Sequence, residues 1–201
     1  MRIRHYKINI IIWIILIVLN FNCKEQINTP KPRMYPFIDF PEKSYIHFSQ
    51  ESCPFNFNFP KYSSIEKDTT FFDEKAKSDC WFNIVFERFN GKIHCSYFTI
   101  EDTKELKKYI DDAYKLMKEH QHKADFIDEL PIHKPNHVSG MLFNIEGAAA
   151  SPFQFYLTDS LHHFLRGSLY FNAQTKPDSM APIFQFVKKD IIELINTFEW
   201  K

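Results

Sequence analysis

The stretch "CWFNIVFERFNGKIHCSYF", residues 80–98, decides the fold. Phe82, Ile84 and Phe86 alternate with smaller or polar residues, and Ile93, Cys95 and Tyr97 do the same after the break. A period of two is that of a strand with one face in the core. Between the runs stands Asn90-Gly91, two residues that tolerate positive φ and so predict a tight hairpin turn. Phe82, Ile84 and Phe86 are expected on one apolar face, with Ile93, Cys95 and Tyr97 opposite them.

Working outward, "CPFNFNF" (residues 53–59) repeats the alternation, with Phe55, Phe57 and Phe59 on one side and Asn56 and Asn58 on the other. Downstream, Asp102 with Glu105 three residues later has the form of a helix start. Leu106, Tyr109, Ile110, Ala113 and Met117 then recur at helical spacing. Residues 138–145, 153–158 and 164–171 read as three more strands. A final helix is expected from Asp178 or Ser179, with Pro182 tolerated in its first turn and Ile183, Val187, Ile191, Leu194 and Phe198 inward. Hairpin-type links dominate this order. The expectation is an α+β body, a mainly antiparallel sheet with two principal helices packed on it.

The amino terminus has a different character. Arg2, Arg4 and Lys7 precede an apolar run over residues 10–19, and Asn20 and Asn22 close it. A membrane-spanning helix needs roughly 20 apolar residues, so the basic start and short run favour an export signal over residues 1–22. Cys23 follows directly, placed where a bacterial lipoprotein receives diacylglycerol on sulfur after the signal is cut away. Two or more acyl chains give stable anchoring, since each buried CH₂ contributes about 0.8 kcal/mol. Residues 23–42 carry prolines at 30, 32, 36 and 41, which predicts a semi-rigid extended strap. Its apolar end, "YPFIDF", is suited to dock on the body, a single domain over residues 43–201. The 25 basic and 25 acidic residues balance to a formal charge of +0, so electrostatics supplies no reason to expect nucleic acid.

Exported cysteines can oxidise. Cys53 shares the face of Phe55 and Phe57, and Cys80 that of Phe82 and Ile84, so both point inward; a Cys53–Cys80 disulfide is predicted, with two buried free thiols as the alternative. Cys95 reads as a small core residue. Nine histidines show no zinc-type spacing: His120 and His122 are two apart, His133 and His137 flank Pro135, and His162 and His163 are adjacent. Ser64 and Lys67 form an S-x-x-K without its companion motifs. Asp111 and Asp112 are placed on the solvent side of their helix. No catalytic residue, cofactor or metal is expected. Arg166 stands apart because it lies in a strand between apolar residues, where a charge needs a partner. Asp159 and a ligand carboxylate are the candidates.

These motifs resemble one family. "TPKPR" (residues 29–33), Tyr35, "IDFPEKSY" (38–45), "CPFNF", "CWFNI", "GKIH", the run from Gly147 to Ser160 containing "FQFYLTDS", "HFLRGSLYFN" (163–172) and the closing "TFEWK" resemble the gliding motility lipoprotein GldD family. The resemblance implies a non-catalytic, periplasm-facing envelope lipoprotein required for gliding motility and the associated type IX secretion machinery. It implies Cys23 as the lipid (palmitate-bearing) site, with Cys53 and Cys80 on the family's cysteine positions. Its partners would be other motility and secretion proteins of the envelope and, through the lipid, the membrane, with no small-molecule substrate. Arg33, Asp39, Gln154, Asp159 and Arg166 are the candidate contact residues. The arrangement also resembles the PsbP-like fold, an α/β/α sandwich. The alternative is a periplasmic enzyme or small-ligand carrier using Arg166 and polar neighbours such as Gln154.

Overall fold

The computed structural model describes residues 37–68, 70–71, 74–75, 78–172 and 177–201. The predicted signal, Cys23, Arg33 and most of the strap lie outside the described residues. The body is organised around one seven-stranded antiparallel sheet. In chain order its strands are β3 (Ser64–Lys67), β6 (Phe82–Phe86), β7 (Gly91–Thr99), β8 (Ala124–Lys134), β9 (Val138–Gly147), β10 (Phe153–Thr158) and β11 (His163–Phe171). Across the sheet they run β3-β6-β7-β11-β10-β9-β8. A second sheet of three strands joins β1 (Tyr45–Ser49), β2 (Phe55–Pro60) and β12 (Glu199–Trp200), with β2 in the centre. A short pair, β4 (Thr70–Phe71) and β5 (Glu74–Lys75), lies apart.

The opening stretch forms the expected pairing, with Phe82 opposite Cys95 and Ile84 opposite Ile93. The turn differs. A 3-10 turn over Glu87–Phe89 precedes Asn90, which alone takes positive φ, at 47°. Gly91 already belongs to β7, opposite Phe86. The ring of Phe171 lies 2.6 Å from where a Cβ at residue 91 would stand, so glycine is needed there for space.

Two helices flank the large sheet. Helix α1 (Thr103–Lys118) begins at Asp102, whose carboxylate accepts the N–H groups of Lys104 and Glu105, both at 2.8 Å. Glu105 reaches back to the N–H of Glu101 at 2.9 Å. Helix α2 (Pro177–Thr197) has Pro182 inside it, beyond the first turn where the sequence placed it. Each helix seals a separate core. On the α2 face, Val187, Ile191, Leu194 and Phe198 pack with Phe55, Phe57, Phe82, Ile84, Phe153, Phe155 and Leu165. On the α1 face, Ala113 and Met117 pack with Phe143, Ile145, Tyr156 and Phe164. Layers of helix, sheet and helix give the α+β body that the pattern predicted, in the sandwich that the resemblance to the PsbP-like fold implied.

Strand β8 was not foreseen. It is an edge strand with mostly exposed side chains and Pro131 within it. An edge is where a missing N–H does least harm. Cys53 and Cys80 are joined by a disulfide across a separation of 27 residues. Cys95 is free and buried, and burial pushes its thiol above its ordinary pKa.

Candidate functional site

The two faces of the large sheet carry different chemistry, because α1 covers only part of its side. Strand parity places Asn83, His94, Ser96, Arg166, Ser168, Tyr156 and Gln154 on the α1 face. Tyr156 and Phe164 lie beneath the helix in the apolar core. Asn83, His94, Ser96, Arg166 and Ser168 form a polar row across β6, β7 and β11. The pairings His94 with Ser168 and Ser96 with Arg166 fix their order along the strands.

Arg166 floors a cleft of about 330 Å³ at the flank of α1. Trp81, Phe98 and Phe164 supply aromatic wall, and Lys108, Asp112, Lys115 and Glu119 contribute the helix side. Burial pulls the guanidinium below its ordinary pKa, while Tyr170 and Asp112 act in the opposite direction. Two strand residues further along, Lys92, His94 and Tyr170 line a broader concavity of about 830 Å³ with Glu66 and Asn90. Burial, helped by Lys92, holds His94 below its usual range, and Asp68 at 3.6 Å opposes this. Within the row, Asn83 is 8% exposed and its Oδ1 meets no hydrogen-bond donor among the described residues.

The carboxylate that acts on Arg166 electrostatically and lines the same cleft is Asp112; Asp159 is engaged elsewhere. Asp159 Oδ1 accepts the N–H groups of Leu161, His162 and His163 at 2.8–2.9 Å, closing the turn before β11. Burial raises its pKa, but those three bonds outweigh it and leave the group below its ordinary value. Its electrostatic neighbours are His163 and Tyr97. The expectation that Asp112 is solvated also fails: it is half-buried and lines the cleft. Gln154 shares the Arg166 face but is 3% exposed, with Nε2 finding no acceptor among the described residues. Asp39 binds Arg88 at 2.9 Å on the exposed surface. The candidate contact residues among the described residues thus do not converge; the cleft at Arg166 gathers a different set.

A second polar centre lies on the α2 side. Asp190, 1% exposed, accepts from Lys43 Nζ at 2.7 Å, from Tyr45 at 2.9 Å and from Tyr62. Burial first, and then Asp190, raise the pKa of both tyrosines. A carboxylate out of water needs such donors. Lys43 also donates to the carbonyl of Phe186 at 3.0 Å and sits 3.7 Å above its ring. Phe40 stacks on the same ring at 4.5 Å, and Ile38 joins the core margin. The end of the strap is thereby fastened to α2. A sequence signal existed, since Asp190 falls three residues after Val187 and beside Ile191 on the buried stripe.

Other motifs resolve without chemistry. Ser64 and Lys67 lie on strand β3 at positions of opposite parity, and Lys67 pairs with Asp79 at 2.6 Å. His133 stands on β8 and His137 in the turn after it. Among the described residues no three His, Cys, Asp or Glu side chains cluster as metal ligands, and no helix is long and apolar enough to cross a membrane.

The fold is similar to that of a solved cyanobacterial PsbP (CyanoP) from Synechocystis sp. PCC 6803, with a TM-score of 0.51 at 11% identity. The alignment covers 83% of this chain and 98% of that one. At this identity the likeness speaks of fold alone. No curated protein sequence matches the chain. A family profile, described as gliding motility lipoprotein GldD, matches residues 25–200, nearly the whole span beyond the apolar leader. The chain belongs to the gliding motility lipoprotein GldD family.

Proposed function

We propose that this protein is a non-catalytic envelope component that serves gliding motility and the associated type IX secretion machinery by binding other proteins of that machinery. Diacylglycerol on Cys23 holds it to the membrane after residues 1–22 are removed, and the body faces the periplasm. The observation that carries this reading is the family match over residues 25–200. Two features support it. The disulfide between Cys53 and Cys80 suits an oxidising compartment. The last strap residues are fastened to α2 through Phe40 and Lys43, so a tether ends in a rigid attachment.

The test is Cys23→Ala in cells fed a clickable palmitate analogue. The parent protein takes up label and sediments with membranes. The variant loses the label and the cells lose gliding. Lipid anchoring is wrong if the variant stays wholly in the membrane fraction with residues 1–22 attached, because the apolar run would then be the anchor.

A further inference from the structure

We propose that the outer edge of β8 adds a strand from another protein, an extended segment with two adjacent cationic side chains between apolar ones. This docking role names a surface for the partner-binding function and rests on it. Strand β8 ends the seven-stranded sheet, so one row of its backbone N–H and C=O groups has no strand partner among the described residues. A bulge between Ala124 and Phe126 and the missing N–H of Pro131 limit the regular part of this edge to residues 126–130. Along it Phe126 is 58% and Leu130 47% exposed. Leu130 pairs with Leu142 of the α2-face core, and Asp128 with Asn144, whose Oδ1 accepts from Lys188 of α2 at 3.1 Å. Alternation puts Phe126 on that side as well, and Ile192, one turn after Lys188, is also exposed. On the other side Ile127 packs with the α1-face core, and Glu129 accepts from the Tyr114 hydroxyl at 3.2 Å. The same tyrosine lines a concavity of about 730 Å³ with Ile110 and Gln121. An added strand sends alternate side chains to the two sides, so each side offers it contacts.

Charge selects the occupant. Asp128 and Glu129, with Asp125 just before them, are carboxylates without an ion pair among the described residues. Lys134, on the same strand, is held by the carbonyls of Ile195 and Phe198 at 2.7 and 2.8 Å. A second copy of the chain fits badly. Two β8 edges paired about a two-fold axis at Asp128 or at Glu129 would set a carboxylate directly opposite its own mate, which is destabilising. A cationic strand fits well. Opposite Phe126, Ile127, Asp128, Glu129 and Leu130 it would carry apolar, apolar, cationic, cationic and apolar residues in turn. Opposite-charge pairs across strands then replace the repulsion, and apolar side chains cover Phe126 and Leu130.

The experiment is fluorescence anisotropy of the full chain in maltoside micelles with two labelled peptides blocked at both ends, Thr-Val-Lys-Lys-Val-Val-Thr and its reverse, Thr-Val-Val-Lys-Lys-Val-Thr. Each is also made with Glu in place of Lys. One lysine peptide is expected to bind, the first for an antiparallel added strand and the second for a parallel one, about tenfold more tightly than its glutamate form. Methylating the amide nitrogens of alternate residues blocks one hydrogen-bonding edge of that peptide. One of the two alternate sets should abolish binding and the other should spare it. Glu129→Lys, at an exposed position, should weaken the lysine peptide severalfold and strengthen the glutamate form. Failure of both lysine peptides to bind, equal binding of lysine and glutamate forms, the same effect from both methylated sets, or indifference to Glu129→Lys overturns the proposal. Sedimentation of the chain alone in the same micelles tests for a second copy: a dimer that Phe126→Lys dissociates makes this chain its own occupant and also overturns it. None of these readouts depends on lipid at Cys23 or on gliding, so the docking role and the anchored-component function fail separately.

Discussion

The two faces of the seven-stranded sheet were built to different rules. On the α2 face the core is closed. Phe55, Phe57, Phe82, Phe155 and Phe198 are essentially inaccessible, Gly167 lets the Phe155 ring lie across its backbone, and Asp190, the one carboxylate buried among the described residues, has three donors. On the α1 face a helix covers one half with apolar contacts and leaves the other to Asn83, His94, Ser96 and Arg166. Among them Asn83 has an Oδ1 with no donor among the described residues, whereas Asp190 has three. One face concentrates stability, and the other gives some of it up for a recess with polar groups. Such an exchange is expected where a protein binds something.

Changes on the closed face should cost most. Replacing Cys53 and Cys80 together by alanine should destabilise by about 3.5 kcal/mol on the chain-entropy model for a loop of this length, read as a lower urea midpoint under non-reducing conditions. Asp190→Ala should cost about 3 kcal/mol, toward the low end for breaking a buried ion pair. Lys43 is 26% exposed and can turn toward water, and Tyr45 and Tyr62 are half-buried, which keeps the cost at that low end. The same urea series measures it. On the open face Gln154→Met should be neutral or stabilise by up to about 1 kcal/mol, because it removes an amide whose Nε2 has no acceptor. A large loss of stability from Gln154→Met would erase the contrast between the faces.

Much of the fold was legible. The Phe82–Phe86 and Ile93–Tyr97 alternations placed both strands and their inward faces, and Asp102 with Glu105 marked the start of α1. Strand β8 escaped because Pro131 and a run of exposed side chains break the period of two; its place at the edge, which excuses both, is a tertiary fact. Strands β1 and β12 are short and owe their existence to β2. The site was less legible. Arg166 reads as a strand charge in need of company, yet the carboxylate that acts on it electrostatically, Asp112, comes from α1, 54 positions upstream, which no local pattern encodes. Asp112 lies at the margin of the apolar stripe, where a helical wheel cannot tell solvent from the side wall of a cleft. Asp190 was legible in principle and was hidden among the hydrophobic residues that mark the stripe.

The three-stranded sheet has a mechanical corollary. Its outer members, β1 and β12, come from the two ends of the folded chain, and both hydrogen-bond to β2. A tug arriving at the amino end of the body would meet the Phe40–Phe186 stack, the Lys43–Asp190 clasp and the β1–β2 seam, close to where the carboxyl end is also stitched in. Force would leave through that seam before it could spread into the large sheet. The recess beside α1 could then keep its shape while the protein is dragged.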